Sequence, residues 1–109
     1  MKKGFKLVRI REGSYISLFL LDFVVYKENK LVTPRPSCGP LCVFETKESA
    51  MSFCDNVHRC SPNPIVVYEC DYIPSTHNKV WDLFGEVEQW RLPKGTVLAD
   101  GVILRRRVC

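Results

Sequence analysis

The clearest pattern of apolar and polar positions in this chain follows Thr46. A threonine can cap the N-terminus of a helix, and Glu48 places negative charge in the first turn, where it interacts favourably with the helix dipole. Apolar residues then recur with the period of one helix face, at Ala50, Met51, Phe53, Cys54 and Val57. The pattern predicts a helix from Lys47 to about Val57 that packs this face against a sheet.

The other apolar segments are short, rich in β-branched and aromatic residues, and bounded by turn residues, which is typical of strands. We predict strands at Phe5–Arg11, Tyr15–Leu21, Leu41–Glu45, Ile65–Tyr72, Glu86–Leu92 and Val102–Val108. Val24–Tyr26 and Leu31–Val32 can pair as a hairpin across Glu28–Lys30. Val80–Phe84 fits either a strand or a helical turn.

Six to eight short strands with one main helix predict an α+β fold whose sheet is mostly antiparallel. Thr33–Pro40 is predicted to be a loop, because its three prolines exclude a helix or a central strand. A length of 109 residues indicates a single domain, 1–109, and a hydrophobic content of 46% excludes wholesale disorder. The apolar stretch Leu18–Leu21 is far too short to span a bilayer, so we expect no membrane association.

The first residues do not read as an export signal. Lys6, Arg9 and Glu12 interrupt the apolar core that a signal peptide requires. We therefore expect a cytoplasmic protein, in the host cytoplasm if it is viral. In that compartment the six cysteines are expected to be reduced rather than paired.

Zinc binding is the more specific alternative role for these cysteines. Cys38-x3-Cys42 and Cys54-x3-His58-x-Cys60 offer soft ligands, although the spacing differs from the usual zinc knuckle. Cys42 lies in an apolar strand segment, and free cysteine is among the most buried residue types. We therefore favour thiols in the core and predict no structural metal.

Two segments are similar to a loosely defined set of small proteins of bacteria and their phages. Gly39–Ala50 resembles its pattern of a glycine, a short apolar strand, a Phe-x-Thr step and a helix. Leu92–Leu104 resembles the L-P-x-G-T-x-L-A segment before the last strand, and Ile65–Cys70 resembles the central strand. Because that set has no agreed activity, the resemblance implies a phage-type accessory protein and no particular chemistry.

A fainter resemblance is to the ADP-ribosyltransferase fold, in which a strand ending in a hydroxyl residue runs into a helix. That family uses a basic residue on its first strand, a hydroxyl residue in the middle of the sheet and a late glutamate. The positions available here are Arg9, Thr46 and Glu88, with Glu86 as a second choice for the glutamate. The flanking signature around the glutamate is missing, so we treat a reduced transferase or nucleotide-binding domain as the alternative reading.

The sequence offers no recognisable catalytic apparatus. Its six glycines are scattered singly, which excludes a phosphate-binding loop. Of the two histidines, His58 follows the predicted helix and His77 lies in a polar loop, where structural or solvated roles are more common. We therefore predict no catalytic residues and no cofactor.

Basic residues crowd both ends of the chain, which carries a net charge of +4. If the first and last strands were neighbours, Arg9, Arg11, Arg105 and Arg107 would form one surface able to bind nucleic acid or an acidic partner. Strand alternation predicts Arg105 and Arg107 on the exposed face with Ile103. It places Arg106 on the core side, at the sheet margin, with its guanidinium extended outward. Aromatic side chains for stacking are available at Tyr15, Phe19 and Trp90.

The residues together favour a small interaction protein that acts by binding a protein partner. A phage-type accessory or anti-host factor of this kind fits the size and the missing motifs. An ADP-ribosyltransferase-like or nucleotide-binding domain and an RNA- or DNA-binding module remain the alternatives. The sequence leaves the oligomeric state open.

Overall fold

The structure is a computed structural model that describes residues 1–17, 24–58, 63–82 and 85–109. These residues form one α-helix, α1, at Lys47–His58 and a short 3-10 helix at Gln89–Arg91. They also form nine strands: β1 Lys2–Arg11, β2 Ser14–Ser17, β3 Val25–Tyr26, β4 Leu31–Val32, β5 Leu41–Phe44, β6 Ile65–Pro74, β7 Lys79–Trp81, β8 Glu86–Glu88 and β9 Thr96–Arg107. The predicted α+β class is confirmed, with more strands than predicted.

The main sheet curls until four of its strands close a ring. β6 pairs antiparallel with β1 along one edge and with β9 along the other. β5 also pairs with both β1 and β9, so the ring runs β1, β5, β9, β6 and back to β1. β2 and β3 extend the sheet from β1, and β4 extends it from β9.

The inside of the ring holds the largest part of the core. Alternate residues of the strands point inward, and the buried members are Val8, Val24, Tyr26, Leu41, Val43, Val66, Tyr68, Cys70, Tyr72, Ala99, Val102 and Leu104. Aliphatic and aromatic side chains fill the space that the curled strands enclose. Removing these side chains from water is the main favourable term in folding.

The helix covers part of the outer face of the same sheet. Its buried residues Ala50 and Cys54 pack with Leu7, Phe44 and other outward-facing residues of the strands. Phe53 and Val57 are only partly buried on the same cluster. The predicted helix and the face that it packs against the sheet are therefore confirmed.

Thr46 caps α1 as its position in the sequence predicts. The backbone N–H of Ser49 donates to Thr46 Oγ1 at 3.2 Å, and the Thr46 hydroxyl donates to Ser49 Oγ at 3.0 Å. The first bond satisfies one of the N–H groups that a helix leaves without a partner in its first turn. Thr46 therefore fixes where the helix begins.

Replacing Thr46 with alanine should lower the free energy of unfolding by about 1 kcal/mol, because the cap is lost. Thr46→Ser keeps the accepting oxygen and should stay close to the parent. Urea denaturation of the three proteins checks this. A Thr46→Ala variant as stable as Thr46→Ser would show that the cap contributes nothing.

The predicted hairpin between Val24–Tyr26 and Leu31–Val32 is wrong. β3 pairs with β2, with Tyr26 opposite Tyr15, and β4 pairs with β9, with Leu31 opposite Ile103. Two-residue strands gain more from a longer neighbour than from each other, and each of the two finds one. The predicted strand Tyr15–Leu21 is described only as β2, and its later residues lie outside the described part of the chain.

Two later segments also differ from their predictions. The strand predicted at Glu86–Leu92 ends at Glu88, and Gln89–Arg91 forms a 3-10 turn closed by the Leu92 N–H donating to the Gln89 carbonyl at 3.0 Å. β8 extends only as far as its partner β7, whose first residue, Lys79, is opposite Glu88. The sequence left a strand or a helical turn open for Val80–Phe84. The structure has a strand there, β7 at Lys79–Trp81, which pairs with β8. Residues 83–84 lie outside the described part of the chain.

The last strand is longer than predicted. β9 begins at Thr96 rather than Val102 and pairs first with β5, through Val43 opposite Val97. Its C-terminal end is tied to β6 by the Val108 N–H, which donates to the Val67 carbonyl at 2.8 Å. Because of this added length, β9 pairs with both β5 and β6 and closes the ring on two sides.

Candidate functional site

The basic ends of the chain do not merge into one surface, because β6 lies between β1 and β9. In register, Phe5 of β1 faces Glu69 of β6, and Glu69 faces Arg106 of β9. Asp71 lies two residues further along β6 on the same face as Glu69. Two carboxylates therefore lie between Lys3 of β1 and the arginines Arg105 and Arg106 of β9.

These carboxylates bind the basic residues beside them. Asp71 accepts from Arg105 Nε at 2.8 Å and from Lys3 Nζ at 3.3 Å, and these two bonds hold its pKa below the usual value. Glu69 accepts from Arg106 at 3.1 Å. A phosphate that approached this surface would compete with carboxylates already in place.

The three C-terminal arginines are exposed, as predicted, but they do not alternate between faces as predicted, because a β-bulge interrupts the strand. Cys70 is opposite Leu104, but Glu69 is opposite Arg106, so Arg105 is an extra residue in β9. A bulge shifts the alternation by one position. Arg105 and Arg106 therefore both reach carboxylates on the outer face, whereas Arg107 donates to the carbonyl of Cys109 at 3.2 Å.

The other two arginines predicted to bind lie further along β1. Arg107 is in register with Tyr68, and Tyr68 is in register with Lys6. Arg9 is three residues beyond Lys6, about 10 Å along the strand, and Arg11 lies further still, opposite Ser14 of β2. The structure groups Arg105 with Lys3 and does not bring Arg9 or Arg11 to them.

The positions of the transferase reading fall on three separate elements. Arg9 lies on β1 opposite Ile65, Thr46 caps α1, and Glu88 accepts a hydrogen bond from Trp90 Nε1 at 2.9 Å. The cavity that Glu88 lines has neither Arg9 nor Thr46 in its wall.

Among the described residues, Trp90 is the most exposed large apolar side chain. It is 76% exposed, yet it is held at both ends. Its indole N–H donates to Glu88, and the guanidinium carbon of Arg91 lies 5.4 Å from the ring centroid. An aromatic ring fixed in this way loses little conformational freedom when it binds.

Two cavities adjoin the segment that carries Trp90. One, of about 610 Å³, lies between α1 and the 3-10 turn, and its wall comprises Glu48, Ser49, Ser52, Phe53, Asn56, Arg91, Leu92, Pro93 and Lys94. The other, of about 500 Å³, is lined by Asn78, Glu88, Gln89, Trp90, Leu92, Pro93, Lys94, Gly95 and Thr96. Leu92, Pro93 and Lys94 belong to both walls, so the two cavities form one groove, which we call the Trp90 groove.

Local structure fixes this groove. Gly95 has φ = +87° and lies so close to α1 that an added Cβ would be 2.4 Å from Ser49 Oγ. The Pro93 carbonyl accepts from the Thr96 hydroxyl at 2.6 Å, and Gln89 Nε2 donates to the Thr96 carbonyl at 3.2 Å. The loop therefore stays against the helix.

Sequence reasoning identified Trp90 only as a side chain available for stacking, and it missed the groove. The walls join residues 48–56 to residues 88–96, which are far apart in the chain. The sequence did contain a usable signal in Leu92-Pro93-Lys94-Gly95, because a proline and a glycine so close together mark a tight turn. Nothing in that signal shows that the turn lies beside the helix.

Cys42 and Cys54, two of the cysteines considered for zinc, lie in different parts of the core. Cys42 packs with Val80 and Leu98, whereas Cys54, on α1, packs against the outer face of the main sheet. Burial raises the pKa of both thiols. The His58 side chain and Cys60 lie outside the described part of the chain. Among the residues that are described, no group of three or more His, Cys, Asp or Glu side chains is placed to hold a metal.

Lys6 is a basic residue near the N-terminus, where a surface position would be expected, yet its side chain is buried. It points into the ring and is only 2% exposed. Its Nζ donates to the Cys42 carbonyl at 2.7 Å and lies 5.4 Å from the centroid of the Tyr26 ring. Burial lowers the pKa of Lys6.

A polar cluster lies at one end of the ring. Tyr68, 1% exposed, donates to Glu28 Oε1 at 2.6 Å, and its hydroxyl oxygen lies 3.1 Å from that of Tyr15. Burial raises the pKa of Tyr68, and the bond to Glu28 raises it further. The neutral Tyr68 phenol therefore holds Glu28 against the sheet.

Searches among known protein families, curated proteins and solved structures find no match to this chain. Over the described residues, no helix combines the length and the apolar character needed to cross a bilayer.

Proposed function

We propose that this chain is a small binding protein that engages a protein partner through the Trp90 groove. The observation that carries the proposal is the exposed, immobilised Trp90 beside two adjoining cavities. Tryptophan and arginine are the residues most enriched where binding energy concentrates in protein interfaces. A phage-type accessory factor that acts on a host protein would work in this way.

The groove suits a partner segment that carries an apolar side chain next to an acidic one. Trp90 and Leu92 offer apolar surface, and Pro93 contributes a rigid wall. Arg91 and Lys94 lie beside them and supply positive charge for a carboxylate. Glu48 and Glu88 also line the groove, so the acidic side chain of the partner would have to lie beside Arg91 and Lys94.

A protein partner is better supported than nucleic acid. Arg105, one of the residues predicted to bind phosphate, is paired with Asp71 on β6, and its neighbour Arg106 is paired with Glu69. These carboxylates offset most of the positive charge that a polyanion would bind. The Trp90 groove, with its apolar centre and charged margin, has the composition that protein interfaces show.

Trp90→Ala should weaken binding of a groove-directed peptide by about 30-fold, equivalent to about 2 kcal/mol, because it removes the central contact. The probe is a synthetic peptide selected on the intact protein from a displayed library of random peptides, with affinity measured by calorimetry. Arg91→Gln should weaken the same peptide less and reduce the salt dependence of its affinity.

Val25→Ala is the matched control, since Val25 is also exposed but lies away from the groove. Unchanged affinity in Val25→Ala with a loss in Trp90→Ala supports the proposal. Selected peptides that bind both variants equally would refute it. Binding of random single-stranded DNA or RNA that falls steeply with salt and is lost on mutating Arg105 would favour the nucleic-acid reading instead.

A further inference from the structure

The outer face of the main sheet is covered in two places and exposed in a third. The helix covers the cluster around Leu7, Phe44 and Val67. β7 and β8 cover Cys42 and Leu98 through Val80 and Val87. At the remaining end of the sheet, aliphatic side chains reach solvent.

These side chains form a row across three strands. Leu31 on β4 is opposite Ile103 on β9, and Ile73 on β6 is opposite Gly101 on β9. Leu31 is 53% exposed and Ile73 is 39% exposed. Both reach over Gly101, where an added Cβ would lie 2.9 Å from Leu31 Cδ1 and 3.1 Å from Ile73 Cδ1. The row is therefore one continuous aliphatic patch.

A band of charges of both signs borders the patch. Asp71 lies opposite Ile103 and pairs with Lys3 and Arg105. Glu69 pairs with Arg106 one step further toward the helix. A partner of uniform charge would meet attraction and repulsion together on such a band. A surface that also carries both signs can match it.

We propose that this aliphatic patch is the interface with a second copy of this chain. In a two-fold dimer each surface contacts itself, so the patch packs on the patch and each mixed-charge band meets another of the same composition. Apolar residues at the centre with charged residues at the margin are the usual arrangement of an interface. The proposal goes beyond the Trp90 groove and stands whether or not that groove binds a partner.

Sedimentation velocity over a dilution series of the full chain tests the proposal. We expect a monomer–dimer equilibrium with a dissociation constant of about 10–100 μM, since the patch is small for a stable dimer. Leu31→Lys and Ile73→Lys should each weaken dimerisation at least about tenfold, because each buries a charge at the centre. Val25→Lys is the control, as Val25 is 50% exposed on another short strand and should leave dimerisation unchanged.

Amide chemical shifts of the parent protein provide a second measurement that does not depend on a variant folding. On dilution, the changes should concentrate on Leu31–Val32, Ile73 and Gly101–Ile103. Changes that concentrate on Gln89–Lys94 instead would overturn the proposal and assign the self-contact to the Trp90 groove. A protein that stays monomeric at millimolar concentration would also overturn it, and a different partner would then have to cover the patch.

Discussion

Replacing Phe44 with alanine is expected to lower the free energy of unfolding by about 3–5 kcal/mol. Phe44 is 1% exposed at the end of β5, under the helix. It pairs with Phe5 on β1 and with Thr96 on β9, so it lies where the ring closes. Its removal leaves a cavity that rigid strands on both sides cannot fill.

Phe53→Ala is the matched comparison on the facing helix. The two rings lie 5.7 Å apart, but Phe53 is only partly buried and also lines the Trp90 groove. The sequence pattern alone suggests an equal loss for Phe53. Because part of its ring already contacts water, we expect about half the loss of Phe44→Ala.

Urea unfolding followed by circular dichroism checks both values. A Phe44→Ala protein that is no less stable than Phe53→Ala would contradict this ranking of the two sites.

The helix and most strands could be predicted because their signals are local. The spacing of Ala50, Phe53 and Cys54 shows a helix face without reference to the rest of the chain. The partners of the strands could not be predicted in the same way. β3 and β4 are two residues each, and their neighbours are decided by how β1 and β9 are placed.

The positions of the charged side chains on the surface were harder to predict, because one bulged residue changes the face that the following side chains occupy. Alternation alone places Arg106 toward the core, and one bulged residue turns it outward to Glu69. The sequence carries no sign of that bulge, since Arg105 is one of three consecutive arginines. The Trp90 groove and the aliphatic patch likewise depend on contacts between segments far apart in the chain.

The buried position of Lys6 inside the fold was equally hard to predict from the sequence. Strand alternation on β1 places it on the inward face with Val8, but a lysine near the N-terminus reads as a surface residue. The thiols beside it stay neutral in the native state, because burial raises the pKa of Cys42 and raises that of Cys70 to about 12. The ring therefore holds an amine whose charged form is costly.

Lys6→Met should raise stability at neutral pH by about 1–4 kcal/mol, because an apolar side chain of similar length replaces a buried amine that is fully solvated in the unfolded chain. The gain should shrink as the pH rises. Burial lowers the native-state pKa of Lys6, so between that pKa and the ordinary value of about 10.4 the native protein sheds a proton that the unfolded chain keeps. The free energy of unfolding of the parent therefore rises with pH across this window. The variant has no amine at this position and lacks that rise.

The measurement is the difference in unfolding free energy between parent and variant in urea, from neutral pH to about pH 10.5. Taking the difference removes the part of the cysteine titration that the two proteins share. The Lys6 charge lowers the pKa of Cys42 and Cys70, so its loss raises these pKa values further and destabilises the variant in alkali, which adds to the same trend. Lys30→Met removes a lysine at an exposed turn and is the control for the general effect of losing one positive charge. A Lys6→Met difference that does not change with pH would contradict a lowered pKa for the Lys6 amine in the ring.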